Sequence, residues 1–190
     1  RELKKDFGEG RVVFIGSSID MFSDAIPSAW IDQVLLTCSI YNKNKYLFQS
    51  KQPRRFLEFF DSPTMSLAAA RPSNVIFATT IESNFDHPEA YETGDVNTGQ
   101  PTVDERFNGI MRVKQAGYDI TVTIEPIMAF SLNKLREMID DLMPEWISID
   151  ADSQKSGLPE PTGAEVRALM RELEKNHRVI IKSNLRRLTG

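Results

Sequence analysis

Charged and hydroxyl-bearing side chains follow short apolar segments at six places along the sequence. The carboxylates among them can accept hydrogen bonds from ribose hydroxyls or an ammonium group, and a lysine can bind a ligand carboxylate as a point charge. An amino-acid-bearing nucleoside would need both kinds of group. Each residue alone could equally begin a loop or cap a helix, but the set as a whole predicts a ligand site. Its members are Ser17, Ser18, Asp20, Gln49, Ser50, Lys51, Thr80, Glu82, Glu125, Asp150, Asp152 and Lys182.

Six segments of strand length precede these side chains, and segments of helical period lie between them. The strands are predicted at residues 12–18, 46–51, 75–82, 120–126, 146–152 and 179–183, which are rich in β-branched and aromatic residues. This alternation predicts parallel strands joined by right-handed crossovers. Because ligands of parallel α/β folds bind at the carboxyl ends of the strands, we expect the polar residues to meet there.

Capping signals mark the starts of the predicted helices. Two segments match the capping box, one beginning at Thr102 and the other at Thr162. Ser131 and Ser28 are predicted to cap two further helices. A short fifth helix is predicted at residues 53–60.

The polarity of the two strand faces distinguishes an open sheet from a barrel. In segments 120–125 and 147–152, apolar residues alternate with Thr, Ser, Glu and Asp. The apolar face can pack on helices, so the polar face would line an interior cavity, where polar groups need partners or water. The segment GSSID at residues 16–20 is not the glycine fingerprint of a dinucleotide-binding fold. We therefore predict an α/β fold, a partial (β/α) TIM-like barrel of about six parallel strands.

Composition and charge narrow the class of protein. The chain has 190 residues, 41% of them hydrophobic, which suits a single domain over residues 1–190. Its net charge of -4 does not favour sequence-independent attraction to nucleic acid, although a locally basic groove is compatible with it. No apolar run reaches the roughly 18–20 residues of a membrane helix, and no signal peptide is visible. The single cysteine fits a cytoplasmic location best.

Neither the cysteine content nor the longest loop predicts a metal site. The single cysteine, Cys38, rules out an internal disulfide and any multi-cysteine metal site within this chain, and we expect it to be a buried helix residue. The connection at residues 83–101 contains Asp86, His87 and Glu89, but its spacing matches no familiar cluster. A lid or substrate loop is the expected role, because long connections in compact domains are usually functional or disordered.

Taken in order, several short motifs resemble one known family. They are GSSIDMF at residues 16–22, FQSKQPRR at 48–55, NVIFATTIES at 74–83, ERF at 105–107, TIEPIM at 123–128 and EWISIDAD at 145–152. Their order and spacing resemble the phage-type Gp37/Gp68 proteins, a branch of radical S-adenosylmethionine (SAM) proteins related to spore photoproduct lyase. The likeness runs from about residue 12 to residue 183, and the last strand ends in Lys182 as the family pattern does.

The resemblance implies a partial barrel of the radical SAM type that holds SAM. Lys51 would meet the methionyl carboxylate of SAM, and Thr80 with Glu82 would contact its methionyl or ribose part. Arg106 and Glu125 would complete the wall of the site. The residues implied to bind the cofactor are Ser18, Asp20, Lys51, Thr80, Glu82 and Arg106.

One departure from the family affects the chemistry. Radical SAM enzymes carry a CxxxCxxC loop that binds a [4Fe–4S] cluster through thiolates, and this chain has no such motif. The resemblance places that loop upstream of Arg1, so the chain is expected to be the larger, carboxy-terminal part of the barrel. With the cluster and an electron donor, the intact protein would cleave SAM reductively and act on a substrate. Analogy with the lyase suggests a nucleic-acid base.

Two other functions stay open on the sequence. Without the cluster, the chain could be a non-catalytic module that binds a nucleotide or a protein partner. It could also be a cluster-free enzyme in which Glu125 or Asp150 acts as the general base.

Overall fold

One six-stranded sheet organises the chain. The computed structural model describes residues 7–60, 74–86, 100–154 and 157–190. The strands are β1 (Val12–Ile15), β2 (Lys45–Gln49), β3 (Val75–Thr80), β4 (Asp119–Ile124), β5 (Ile147–Ile149) and β6 (Val179–Ile181). They lie in the order in which they occur in the sequence, and β1–β2, β2–β3, β4–β5 and β5–β6 pair in parallel. All six predicted strands are therefore confirmed, with carboxyl ends up to three residues earlier than predicted.

Helices connect successive strands, as the alternation predicts. They are α1 (Ser28–Ile40), α2 (Phe56–Phe60), α3 (Val103–Gln115), α4 (Leu132–Leu142), α5 (Gly163–Leu173) and α6 (Arg186–Thr189). A 3-10 turn, Pro53–Arg55, leads into α2, and a second one, Ser183–Leu185, leads into α6. The helix α6 was not predicted, because four residues are too few to show a helical period. Residues 87–99 of the predicted lid or substrate loop lie outside the described residues.

The capping predictions are confirmed for two helices and wrong in detail for two. The backbone N–H of Glu105 donates to Oγ1 of Thr102 at 3.2 Å, and Thr162 makes the same reciprocal box with Glu165. Helix α4 does follow Ser131, but the serine side chain makes no capping hydrogen bond. Helix α1 already includes Ser28, and Pro27 occupies the capping position. Because proline fixes its own φ, it can begin a helix without a side-chain cap.

The chain consists of two compact units. Unit 1 comprises Arg1–Thr79 with Gly109–Ile120, and unit 2 comprises Thr80–Asn108 with Thr121–Gly190. The expectation of a single domain over residues 1–190 stays a prediction.

The core of unit 1 is aromatic. The ring of Phe56 on α2 lies 4.6 Å from that of Phe22 and 4.4 Å from that of Phe77 on β3, measured between centroids. All three side chains are fully buried. Because Phe22 belongs to the loop after β1, this cluster anchors that loop against β3 and α2. Aromatic pairs in such edge or tilted arrangements stabilise the core beyond their area burial.

The core of unit 2 is aliphatic, with a buried polar face beside it. Apolar stripes of α4 and α5 are fully buried with alternate residues of β4 and β5. These residues are Val122, Ile124, Leu135, Ile139, Leu142, Ile147, Ile149, Val166, Leu169 and Leu173. The opposite face of β4 carries Thr123, whose hydroxyl donates to Oγ1 of Thr80 at 3.1 Å. The polar groups on this face are thus hydrogen-bonded, as buried polar groups must be.

Candidate functional site

Three charged residues follow β4, β5 and β6 at matching positions in unit 2. Ile124 is in register with Ile149, and Ile149 is in register with Ile181. The next residue of each strand is Glu125, Asp150 or Lys182. Residues in register on parallel strands point to the same face, so these three side chains form a row across the carboxyl ends. We call them the charged row.

Glu125 is the most constrained member of the charged row. Its Oε1 accepts a hydrogen bond from Oγ of Ser148 at 2.7 Å, and its Oε2 accepts one from Nζ of Lys182 at 2.5 Å. The Glu125 side chain is 20% exposed, and that of Lys182 is 48% exposed. The carboxylate is therefore held from β5 and from the segment after β6 while part of the side chain still reaches solvent.

A cleft lies beside the charged row. Its volume is about 340 Å³, and its lining combines carboxylates with hydroxyl, amide and apolar groups. The lining residues are Glu125, Pro126, Asp150, Ala151, Asp152, Ser153, Gln154 and Leu158. Asp150 uses Oδ1 to accept from the backbone N–H of Ala151 at 2.9 Å. Such a cleft can accept hydrogen bonds from hydroxyl or ammonium groups and can cover an apolar part of a ligand.

The carboxy-terminal helix α6 holds one wall of this cleft. Nη2 of Arg187 donates to the backbone carbonyl of Asp152 at 3.1 Å, and Nη1 donates to Oε2 of Glu160 at 2.8 Å. The hydrogen bonds and charge of Arg187 hold the pKa of the Glu160 carboxyl below its usual range. Just before α6, Nδ2 of Asn184 donates to the backbone carbonyl of Ala151 at 2.9 Å. The backbone of two adjacent lining residues, Ala151 and Asp152, is thus tied to Asn184 and Arg187.

Three of the residues predicted to bind SAM lie in unit 2, and each has a hydrogen-bond partner there. Nη1 of Arg106 on α3 donates to Oε2 of Glu82 at 2.6 Å, and both side chains are 1% exposed. Thr80 is bonded to Thr123, as described above. A buried ion pair keeps its geometry because separating the two groups would leave a buried charge without its partner, which costs about 3–5 kcal/mol. The pair therefore forms a rigid part of the unit at the end of β3.

The remaining predicted residues belong to unit 1. Asp20 accepts at Oδ1 from the backbone N–H of Phe22 at 3.0 Å. Its Oδ2 accepts from Oγ of Ser50 at 3.0 Å and from the backbone N–H of Lys51 at 2.9 Å. Asp20 thus ties the loop after β1 to the end of β2 and brings that loop to Lys51. Ser18 lies exposed in the turn of the same loop.

The chain offers no thiolate for an iron–sulfur cluster. Cys38 is free and 2% exposed on α1, and burial raises the pKa of its thiol to about 12. Cluster ligands are thiolates, so this neutral, enclosed thiol does not fit that role. Among the described residues, no group of three or more His, Cys, Asp or Glu side chains could hold a metal ion.

Sequence reasoning missed several partners of the site residues. Ser148 was placed on the polar face of its strand, yet its bond to Glu125 follows only from the register of β4 and β5. Ser50 and Arg187 were likewise missed as partners of Asp20 and of the cleft wall. The alternation of β5 was the available signal for Ser148, whereas the short α6 offered none for Arg187.

The fold of this chain is shared by solved structures of known enzymes. The chain has the six-stranded α/β fold of radical SAM enzymes, which confirms the predicted fold class. Among solved structures, it is similar to SuiB from Streptococcus suis, with a TM-score of 0.58 and 11% identity over 90% of this chain and 39% of SuiB. SuiB bound to S-adenosylmethionine matches with a TM-score of 0.56 and 10% identity.

A second radical SAM enzyme shows the same likeness. A cysteine-to-serine mutant of spore photoproduct lyase matches with a TM-score of 0.58 and 13% identity, over 94% of this chain and 63% of the lyase. The chain therefore spans less than two thirds of either enzyme. No family model and no curated protein matches the sequence. No helix in the described parts of the chain combines the length and apolar character that crossing a membrane requires.

Proposed function

We propose that this chain is the SAM-binding part of a radical SAM enzyme, and that unit 2 holds SAM beside the carboxyl ends of β4, β5 and β6. The observation that carries the proposal is the charged row of Glu125, Asp150 and Lys182, whose two carboxylates line one cleft. Ligands of parallel α/β folds bind at this end of the strands. The likeness to SuiB, which was solved with SAM bound, supports the same ligand.

The groups at the cleft suit the chemistry of SAM. SAM carries ribose hydroxyls, an ammonium group and a carboxylate. Glu125 and Asp150 supply acceptors for its hydroxyl and ammonium donors. Pro126 and Leu158 supply apolar surface for the adenine ring. The cleft volume, about 340 Å³, lies at the lower end of the range for small-molecule sites, ~300–1,000 Å³.

The residues assigned by family resemblance stay part of the proposal. In unit 2, Glu82 and Arg106 form a buried ion pair, and Thr80 at the end of β3 accepts a hydrogen bond from Thr123. In unit 1, Asp20 orients the loop and the backbone of Lys51. Their contacts with SAM are predictions, as are the contact of Ser18 and the catalytic roles of Glu125 and Asp150. The relation to the phage-type Gp37/Gp68 branch rests on motif order alone, and the cytoplasmic location rests on composition.

The residues of this chain can bind and orient SAM but cannot hold the cluster. When bound in an enzyme of this fold, SAM supplies radical chemistry. The chain contributes hydrogen bonds, charge and a shielded cleft, whereas its single cysteine is buried. The [4Fe–4S] ligands and the electron donor must therefore come from outside these 190 residues. A nucleic-acid base as substrate is proposed by analogy with the lyase.

Calorimetric titration of the 190-residue chain with SAM tests the proposal. We expect saturable binding of SAM, and Asp150→Asn should weaken it about tenfold, since a hydrogen bond to a charged group contributes about 1.5–3 kcal/mol. The matched control is Asp141→Asn, the same change at an exposed position of α4, which should leave the affinity unchanged. ATP serves as the competing ligand. No SAM binding, or equal affinity for ATP, would contradict the proposal, and the second result would favour a general nucleotide-binding module.

A further inference from the structure

Both oxygens of Glu125 accept hydrogen bonds from side chains of other elements, one on β5 and one directly after β6. Ser148 on β5 donates to Oε1 at 2.7 Å, and Lys182 after β6 donates to Oε2 at 2.5 Å. Asp150, between them in the charged row, accepts at Oδ1 from the backbone N–H of the next residue at 2.9 Å. Among the described residues, none donates to its Oδ2.

We infer that Ser148 and Lys182 are positioning residues that fix the carboxylate of Glu125 at the cleft, so that a ligand meets this group already oriented. The inference rests on the proposed function for the identity of that ligand, SAM. The inference gives different roles to Glu125 and Asp150, the two carboxylates predicted to be catalytic. Glu125 is a fixed acceptor held by the protein, and Asp150 is the carboxylate with an oxygen left for the ligand.

Two donors from different elements are directed to the carboxylate of Glu125. Lys182 follows β6 next to Asp150, which lies on the adjacent strand, yet its ammonium reaches across to the carboxylate of Glu125. Ser148, a buried residue that is 7% exposed, donates to the other oxygen of the same carboxylate. A glutamate has three side-chain torsions, and two donors from different strands restrict all of them. Charge-assisted bonds of 2.5–2.7 Å are also among the stronger ones in proteins.

The arginines described above are bonded to groups other than Glu125. Arg187 is engaged by Glu160 and by the backbone carbonyl of Asp152. Arg106 is bonded to Glu82. In the described part of unit 2, the ammonium that Glu125 contacts is therefore that of Lys182. Preorganised acceptors bind more tightly than flexible ones because less conformational entropy is lost on binding.

A double-variant cycle measured by calorimetry with SAM tests the inference. Lys182→Met and Glu125→Gln should each weaken SAM binding about tenfold, and the double variant should be no weaker than either single variant within about twofold, because coupled residues are non-additive. Lys182→Arg keeps the cation and should restore the affinity to within about threefold, which a purely structural role would not require. Ser148→Ala should weaken binding about threefold. Lys134→Met, at an exposed site on α4, is the matched control and should have no effect.

A ligand-free readout separates this inference from the proposed function. NMR should show one side-chain rotamer for Glu125 in the parent chain and averaged rotamers in Lys182→Met. Multiplicative losses in the double variant, failure of Lys182→Arg to restore binding, or an averaged Glu125 rotamer in the parent chain would overturn the inference. If the parent chain binds no SAM but its Glu125 rotamer is fixed and becomes averaged in Lys182→Met, the proposed function fails and the positioning role stands.

Discussion

Asp20, Glu125 and Asp150 are three carboxylates that follow strands, and the chain treats them differently. Asp20 is bonded by three donors, from its own loop and from the residues after β2, and Glu125 by two side chains, one on β5 and one after β6. Asp150 is bonded by the N–H of the residue after it. Sequence predicted the place of all three, because polar residues at strand ends are visible in the pattern. It could not predict their partners, because those depend on register between strands.

The lone cysteine provides a test at the scale of a single residue. Burial raises the pKa of the Cys38 thiol to about 12, so at pH 8 only ~1 molecule in 10⁴ carries the reactive thiolate. We expect the folded chain to react with a disulfide reagent at least about a thousandfold more slowly than the chain in urea. Because the sequence has one cysteine, the absorbance of the released thiol reports on Cys38 alone. Equal rates in the two conditions would show that the α1 site is open.

At the scale of elements, the sequence pattern predicted every strand and five of the six helices found in the described parts of the chain. The strands end up to three residues earlier than predicted, because hydrogen bonding between strands stops where the chain turns into the site and not where the apolar residues stop. Capping was predicted less well. The serine before α4 predicts a cap at Ser131, but its side chain forms no capping hydrogen bond.

The capped start of α5 and the uncapped start of α4 predict different effects when a hydroxyl is removed. Thr162→Ala removes the cap of α5 and should lower the free energy of unfolding by about 1 kcal/mol, whereas Thr162→Ser keeps the hydroxyl and should lower it less. Ser131→Ala at the start of α4 is the matched control and should change stability by less than ~0.5 kcal/mol, because no capping bond is lost. Urea unfolding followed by circular dichroism measures both. An equal loss for the two alanine variants would contradict this account of the caps.

At the scale of the whole molecule, the fold could be predicted from strand–helix alternation, and the solved radical SAM structures confirm it at 10–13% identity. At this identity the likeness shows the fold, and the ligand has to be argued from the site. The polar faces of β4 and β5 predicted a cavity, and unit 2 has a cleft of about 340 Å³ beside them. What the sequence could not show is the contribution of α6, because its contacts to the cleft wall join residues far apart in the chain.

The most direct test of the central claim is a map of where SAM binds the 190-residue chain. Backbone amide shifts measured by NMR during titration with SAM would locate the ligand without any cluster or substrate. The account predicts that the largest shifts fall on the residues after β4, β5 and β6, including Glu125, Asp150 and Lys182, with small shifts in the exposed faces of α4 and α5. Shifts spread evenly over the chain, or confined to residues away from these strand ends, would contradict it.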